Sequence, residues 1–199
     1  MTIVDEIAVD GRSARRERNR REIVDALLEM IREGSIDASA AEVAARAGLS
    51  ERSLFRYFDD VNDLYSEVCA VQYSRIQPSA VIAGFAHGTT AEKVAAFVEQ
   101  RIALHRAIDR VGAAARAHAH RNPVIAKQLL EARRLLRTQI EGHFAAELTK
   151  LDEPHRRAAV ATIDLCTTYE SIEILLAEHR MSYPLVRQSL EIAIMRAVK

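Results

Sequence analysis

Tryptophan is absent from the 199 residues, and cysteine, proline and glycine number only two, four and seven. A chain so rarely interrupted by glycine and proline favours long helices over hairpins. With 49% apolar residues, and alanine, leucine, arginine and glutamate abundant, the expected fold class is all-α. Cys69 and Cys166 are far apart and lack C-x-x-C spacing, which argues against a disulfide framework and makes both small core residues. No apolar run approaches the roughly 18 residues that cross a bilayer, and the opening MTIVDEIAVDG is acidic, unlike a secretion signal. A cytoplasmic protein with no membrane partner is expected. G-x-S-x-G, G-x-x-x-x-G-K-S/T and H-E-x-x-H are all missing, which removes the residues for nucleophilic, phosphate-cradle and zinc-protease chemistry. His118 and His120, with His105 and Asp109 upstream, superficially offer metal ligands, but side chains two apart on a helix point apart. No enzyme, metal or cofactor is expected.

What the chain does have is concentrated in SAAEVAARAGLSERSLFRYF, Ser39 to Phe58. Ser39 and Glu42 make an S-x-x-E capping box, and Gly48 supplies the positive φ that ends a first helix over Ala40–Ala47. Ser50 caps a second helix, Glu51–Tyr57, by accepting from the amide of Ser53, while Leu54 and Phe58 share its buried face. Val43, Ala44 and Ala47 face the same core, with Ala44 small enough to let the two helices cross. Upstream, Ile23, Leu27, Met30 and Ile31 recur at helical spacing over Arg15–Glu33, and Gly34 stops that helix. Three helices around one core make a helix-turn-helix domain, the first of the pair crossing the DNA backbone and the second entering the major groove.

The order of these parts, and the string LSERSLFRYFDDVNDL, resembles the TetR (tetracycline-repressor) family of one-component regulators. The resemblance is strongest over residues 15 to 68. Two positions depart from it: Phe55 stands where the family commonly has tyrosine, and Val61 where it commonly has lysine, each removing a phosphate contact. The candidate DNA-binding residues are Arg12, Arg15, Arg16, Arg18, Ser39, Ser50, Glu51, Arg52, Ser53, Phe55, Arg56 and Tyr57. Glu51 repels phosphate but suits a cytosine amino group.

Arg12, Arg15, Arg16, Arg18, Arg20 and Arg21 place six arginines in ten residues against Glu17 alone. Beside a helix-turn-helix such a run reads as a phosphate or minor-groove arm. The plain alternative is a solvated helix face, because residues 1 to 60 carry ten Lys/Arg against thirteen Asp/Glu.

The remaining punctuation divides the chain into a flexible lead at 1–11, the DNA-binding domain at 12–60 and a helical regulatory and dimerisation domain at 61–199, about nine helices in all. Helices are expected over Val61–Ile76, Ala91–Asp109, Arg116–His120, Pro123 to Lys150, Pro154–Arg180 and from Pro184 to near Val198, with Gly112 as an interruption. Between Arg157 and Arg180 there is no lysine or arginine, and the apolar residues spread around much of the circumference. Such a helix needs partners on two sides, which points to a second copy of the chain packed in a two-fold bundle with the closing helix. Ile163, Thr167, Ile174, Val186, Leu190 and Ile194 are the candidate dimer contacts. A two-fold dimer implies a palindromic operator in double-stranded DNA. The resemblance further implies a small-molecule effector, here apolar, in a cavity among the middle helices, releasing a repressor from its site. The candidate lining is Tyr73, Phe97, Leu104, His105, His118, Leu136, Cys166 and Tyr169. The competing reading is an architectural DNA-binding or protein-interaction dimer with a degenerate helix-turn-helix.

Overall fold

A computed structural model describes the backbone of residues 3–199 and the side chains of residues 13–199 except residue 109. Among these residues there is no β-strand; the elements are α1 (Ile3–Glu33), α2 (Ala40–Arg46), α3 (Glu51–Leu54), α4 (Val61–Ile76), a 3-10 turn (Gln77–Ala80), α5 (Thr90–Ala119), α6 (Pro123–His143), α7 (Ala145–Leu148), α8 (Glu153–Cys166), α9 (Tyr169–Glu173), a wide π-turn (Ile174–Glu178) and α10 (Tyr183–Ala197). No helix among the described residues is long and apolar enough to cross a membrane.

The chain divides into two compact units: one runs through Ser74 and includes Asp109–Ala126, and the other comprises Arg75–Ile108 and Lys127–Lys199. This division differs from a boundary at residue 60, because α4 and the end of α5 pack with the N-terminal helices. Three polar ties explain the difference. The Tyr65 hydroxyl on α4 accepts from the Ala38 amide at 2.7 Å, and its ring stacks on His118 at 3.8 Å. His118 also bonds the Ile36 carbonyl through Nε2 at 3.1 Å. Asn122 caps α6 by accepting from the amides of Val124 and Ile125, and its Nδ2 donates to Asn62 and Ser66 on α4. Burial raises the Tyr65 hydroxyl to about 12, so it remains a neutral donor and acceptor at physiological pH.

The second unit closes around Phe97, Val98, Ile102, Ile140, Phe144, Ile163, Ile172, Val186, Leu190 and Ile194. Phe97 and Phe144 meet edge to face at 5.3 Å. Its interior is also polar. Lys93 and Glu147 form a buried pair at 2.5 Å, with Thr90 donating to the same carboxylate. Buried Arg101 lies 4.2 Å over the Phe97 ring and donates to Gln100, Gln139 and the Leu136 carbonyl. Desolvation lowers its guanidinium to about 10, still charged at neutral pH.

Four expected helix boundaries are corrected. Gly112 does not interrupt α5: a glycine costs about 1 kcal/mol relative to alanine in a helix, too little to break a 30-residue element continued by Ala113, Ala114 and Ala115. The helix from Pro123 ends at His143 because Phe144 leaves helical geometry, at φ −104°, ψ 18°, with its ring fully buried. The helix expected over Pro154–Arg180 is broken near Thr167. There Thr167 Oγ1 donates to the Ile163 carbonyl, Ser171 Oγ donates to the Leu165 carbonyl, and Thr168 caps α9 by accepting from the Ser171 amide. Side-chain hydroxyls compete here with the backbone ladder. α1 begins at Ile3, upstream of the expected Arg15.

His143 links the strap before α5 to the helices. Its Nδ1 accepts from the Ala86 amide at 3.0 Å and its Nε2 donates to the Lys93 carbonyl at 2.9 Å, so both bonds need the neutral ring. Burial holds its pKa below the ordinary 6.5. The folded state therefore binds fewer protons at this group than the unfolded chain. Its stabilising contribution is complete above about pH 6.5 and declines as the solution is acidified. Thermal melts between about pH 7.5 and 5 should show a steeper loss of stability in the wild type than in His143→Gln; parallel losses would remove His143 from the acid response.

Candidate nucleic-acid interface

The helix-turn-helix forms where its local signals place it. Ser39 accepts from the Glu42 amide while Glu42 accepts from the Ser39 amide and hydroxyl at 2.8 and 2.7 Å, closing the capping box and holding the Glu42 carboxyl below its usual pKa. Val43 and Ala44 are buried. Gly48 adopts φ +68° with open space where a Cβ would stand, so its requirement is conformational rather than steric. Arg46 anchors the end of α2 to α1 through Glu33 and Glu29.

The reading element is shorter than expected: α3 covers only Glu51–Leu54, and residues 55–57 continue as turns rather than as helix. Four residues make almost no internal ladder, so rigidity has to come from outside. Ser50 supplies one end, its hydroxyl accepting from the Ser53 amide at 3.2 Å. Leu54 and Phe58 anchor the buried face. α1 supplies the other end. Arg20 Nη1 donates to the Tyr57 carbonyl, Arg16 Nη2 donates to the Arg56 carbonyl at 3.4 Å, and Asn19 Nδ2 donates to the Tyr57 hydroxyl at 2.9 Å. Since Asn19 is the donor, the Tyr57 hydroxyl keeps its own proton to give. Arg20 also pairs with Glu67 of α4 at 3.0 Å and lies 4.4 Å over the Phe58 ring; Glu67 holds the guanidinium's pKa above its usual value.

What remains outward is a compact chemical face. Glu51, Arg52, Phe55 and Arg56 are exposed, with Ser53 and Tyr57 half-buried beside them. Arg15, Arg16 and Arg18 are exposed on α1, whereas the side chain of Arg12 lies outside the described residues. Ser39 and Ser50 are engaged in capping. Reading the arginine run as one arm missed the split between Arg15 and Arg18, which face solvent, and Arg20, which turns inward. The signal was present: Arg16 and Arg20 extend the same i, i+4, i+7 stripe that carries Ile23 and Leu27.

The residues expected around an effector are divided between the two units. Tyr73 and His118 belong to the first unit, and His118 is buried against Tyr65. Phe97 and Leu104 are buried in the second unit, where half-buried Leu136 supplies a carbonyl to Arg101. His105 stacks on Tyr169 at 4.9 Å and bonds the Tyr183 hydroxyl at 3.2 Å. Cys166 packs against the core, and burial pushes its thiol up to about 11. An open groove of about 770 Å³ lies instead between α6–α7 and α8, where Arg137 pairs with Asp164 and Arg156 with Glu153 over Leu148 and Val160. The expected dimer contacts also need correction. Ile163, Thr167, Val186, Leu190 and Ile194 are buried within the protomer, and only Ile174 is exposed. The outward apolar residues on these helices are Leu165, at 70% exposure, Leu185 and Ile192.

Residues 23–68 match the family model for bacterial regulatory proteins of the tetR family. That match spans the last third of α1 through the first half of α4 and includes the reading segment, while Arg16, Asn19 and Arg20 lie just before it. The chain is also similar to the crystal structure of a transcriptional regulator from Rhodococcus sp. Rha1, at 18% identity and a TM-score of 0.67, covering 90% of this chain and 95% of that one. At that identity the likeness speaks to the fold. No curated protein matches the chain in sequence.

Ser50→Ala should cost about 0.5–2 kcal/mol of stability, the ordinary worth of a helix cap. Replacing Arg15 and Arg18 together should weaken binding to all duplexes and flatten its dependence on salt. An unchanged salt slope would take these residues off the DNA.

Proposed function

We propose that this chain is a transcriptional regulator of the TetR family that binds a palindromic operator in double-stranded DNA as a homodimer in the cytoplasm, a reading supported by the family match over residues 23–68 and by the likeness of fold. The observation that carries this reading is the exposed face of Glu51, Arg52, Phe55 and Arg56 on a segment fixed at both ends. Groups presented without flexibility can discriminate base edges, because little ordering remains to oppose the contacts. Arg52 and Arg56 suit guanine, Glu51 suits cytosine, and the Tyr57 hydroxyl suits phosphate.

Dimerisation is carried by Leu165 on α8 and by Leu185 and Ile192 on α10, apolar residues that a protomer leaves in water. A two-fold contact through them sets two reading segments on one duplex, with half-sites about one helical turn apart. The protein acts as a repressor released by a small apolar effector bound in the second unit, with Leu104, His105 and Tyr169 among its contacts. Release requires only that the effector bind the DNA-incompetent dimer more tightly than the competent one.

Exposed Phe55 favours the second reading, a protein-interaction or architectural dimer, since an aromatic ring without a hydroxyl offers apolar area rather than a phosphate bond. Selection from a random duplex pool separates the two. An operator-binding regulator enriches an inverted repeat by at least about a thousandfold over random sequence; a folded dimer that enriches nothing supports the second reading. Leu165→Glu with Ile192→Glu should yield a monomer in light scattering that has lost the paired half-site. A double variant that remains dimeric would place the interface elsewhere.

A further inference from the structure

The DNA-binding reading leaves Arg20 among the arginines of a phosphate-binding run, and its surroundings contradict that role. Its guanidinium is spent three ways inside the domain: one Nη on the Tyr57 carbonyl, the other on Glu67, and its face on the Phe58 ring. We infer that Arg20 is a positioning residue rather than a DNA contact, clamping the C-terminal end of the reading segment between α1 and α4. The inference rests on the reading of Glu51–Tyr57 as the DNA-facing segment.

A four-residue helix leaves carbonyls beyond Leu54 with no intrahelical partner. Arg16 and Arg20, one turn apart on α1, take the carbonyls of Arg56 and Tyr57, and Asn19 takes the Tyr57 hydroxyl. Tyr57 is therefore gripped at both its backbone and its side chain by adjacent residues of one helix. Glu67 completes the device, because it fixes the direction in which the planar fork points; a carboxylate and a carbonyl on opposite arms define a guanidinium's orientation as one acceptor cannot. Lysine would bring the charge without the fork. Glu67 is thus a specificity residue that touches no base.

Arg20 and Glu67 make opposite contributions to simple electrostatics, and this separates clamp from contact. Removing an acid from a DNA-binding domain should tighten binding if only charge matters. The clamp predicts the reverse at the operator.

The test uses the full chain as wild type, Arg20→Lys, Arg20→Gln and Glu67→Met. Each is titrated with the selected duplex and a random duplex over a salt series, and amide hydrogen exchange is followed in the free protein. All three variants should lose roughly tenfold or more on the selected duplex. Affinity for random DNA should stay within about twofold, the salt slope should be unchanged, and exchange should accelerate at residues 54–58 while the rest of the domain keeps its protection. Glu67→Met binding the operator as well as or better than wild type would overturn the inference. So would Arg20→Gln losing both duplexes equally with a salt slope shallower by about one, which would make Arg20 a phosphate contact. Unchanged exchange at 54–58, or global unfolding of both the glutamine and the methionine variants, would also overturn it, the latter by assigning the pair to folding. A wild type that prefers no duplex fails the DNA-binding reading instead, and the exchange data then judge the clamp alone.

Discussion

A helix of four residues cannot hold itself, and the first unit is organised around that constraint. Glu51–Leu54 completes barely one turn, so neither its ladder nor its propensity fixes where Arg52 and Arg56 point. Beyond a few backbone bonds of its own, the segment is held by its neighbours: the Ser50 hydroxyl at the start, Leu54 and Phe58 beneath, and Arg16, Asn19 and Arg20 of α1 at the end. Those helices are in turn held by Arg46 on Glu33, Tyr65 on the chain before α2, and Asn122 on α4. Polar, directional bonds suit this task because an apolar core resists separation but tolerates rotation, whereas a forked guanidinium on a carbonyl and a carboxylate fixes angle.

The second unit meets a different constraint. Its core is built from isoleucine, leucine, valine and two phenylalanines, yet it also buries Lys93, Glu147, Arg101 and His143. Lys93 and Glu147 neutralise each other, and His143 stays neutral with both ring nitrogens engaged. Arg101 is satisfied by amide and carbonyl oxygens and an aromatic face. Such groups add little net stability, since desolvation offsets most of what pairing returns. Their effect is to define one arrangement of α5, α6 and α7, because sliding any of these helices would strand a buried charge.

Local signals were legible in the sequence and long-range ones were not. The capping box at Ser39 and Glu42, the Ser50 cap and the turn glycine at Gly48 each depend on residues within four positions, and each forms as read. The pairing of Arg20 with Glu67 joins residues 47 apart, so the composition of the arginine run pointed to DNA while geometry turned one member inward. α8 shows a second limit. With apolar residues on most sides, its sequence does not reveal which face the protomer buries; Ile163 lies inside and Leu165 outside, two positions apart. The break at Thr167 and Thr168 depends on hydroxyls choosing carbonyls and amides over water, which periodicity does not encode.

The most direct test of this account is a crystal structure of the protein on its selected duplex. The account predicts residues 51–57 in the major groove, with Arg20 still on the Tyr57 carbonyl and Glu67 and no phosphate within reach of its guanidinium. A complex in which Arg20 leaves Glu67 for the DNA backbone, or in which another surface of the first unit lies against the duplex, would contradict it.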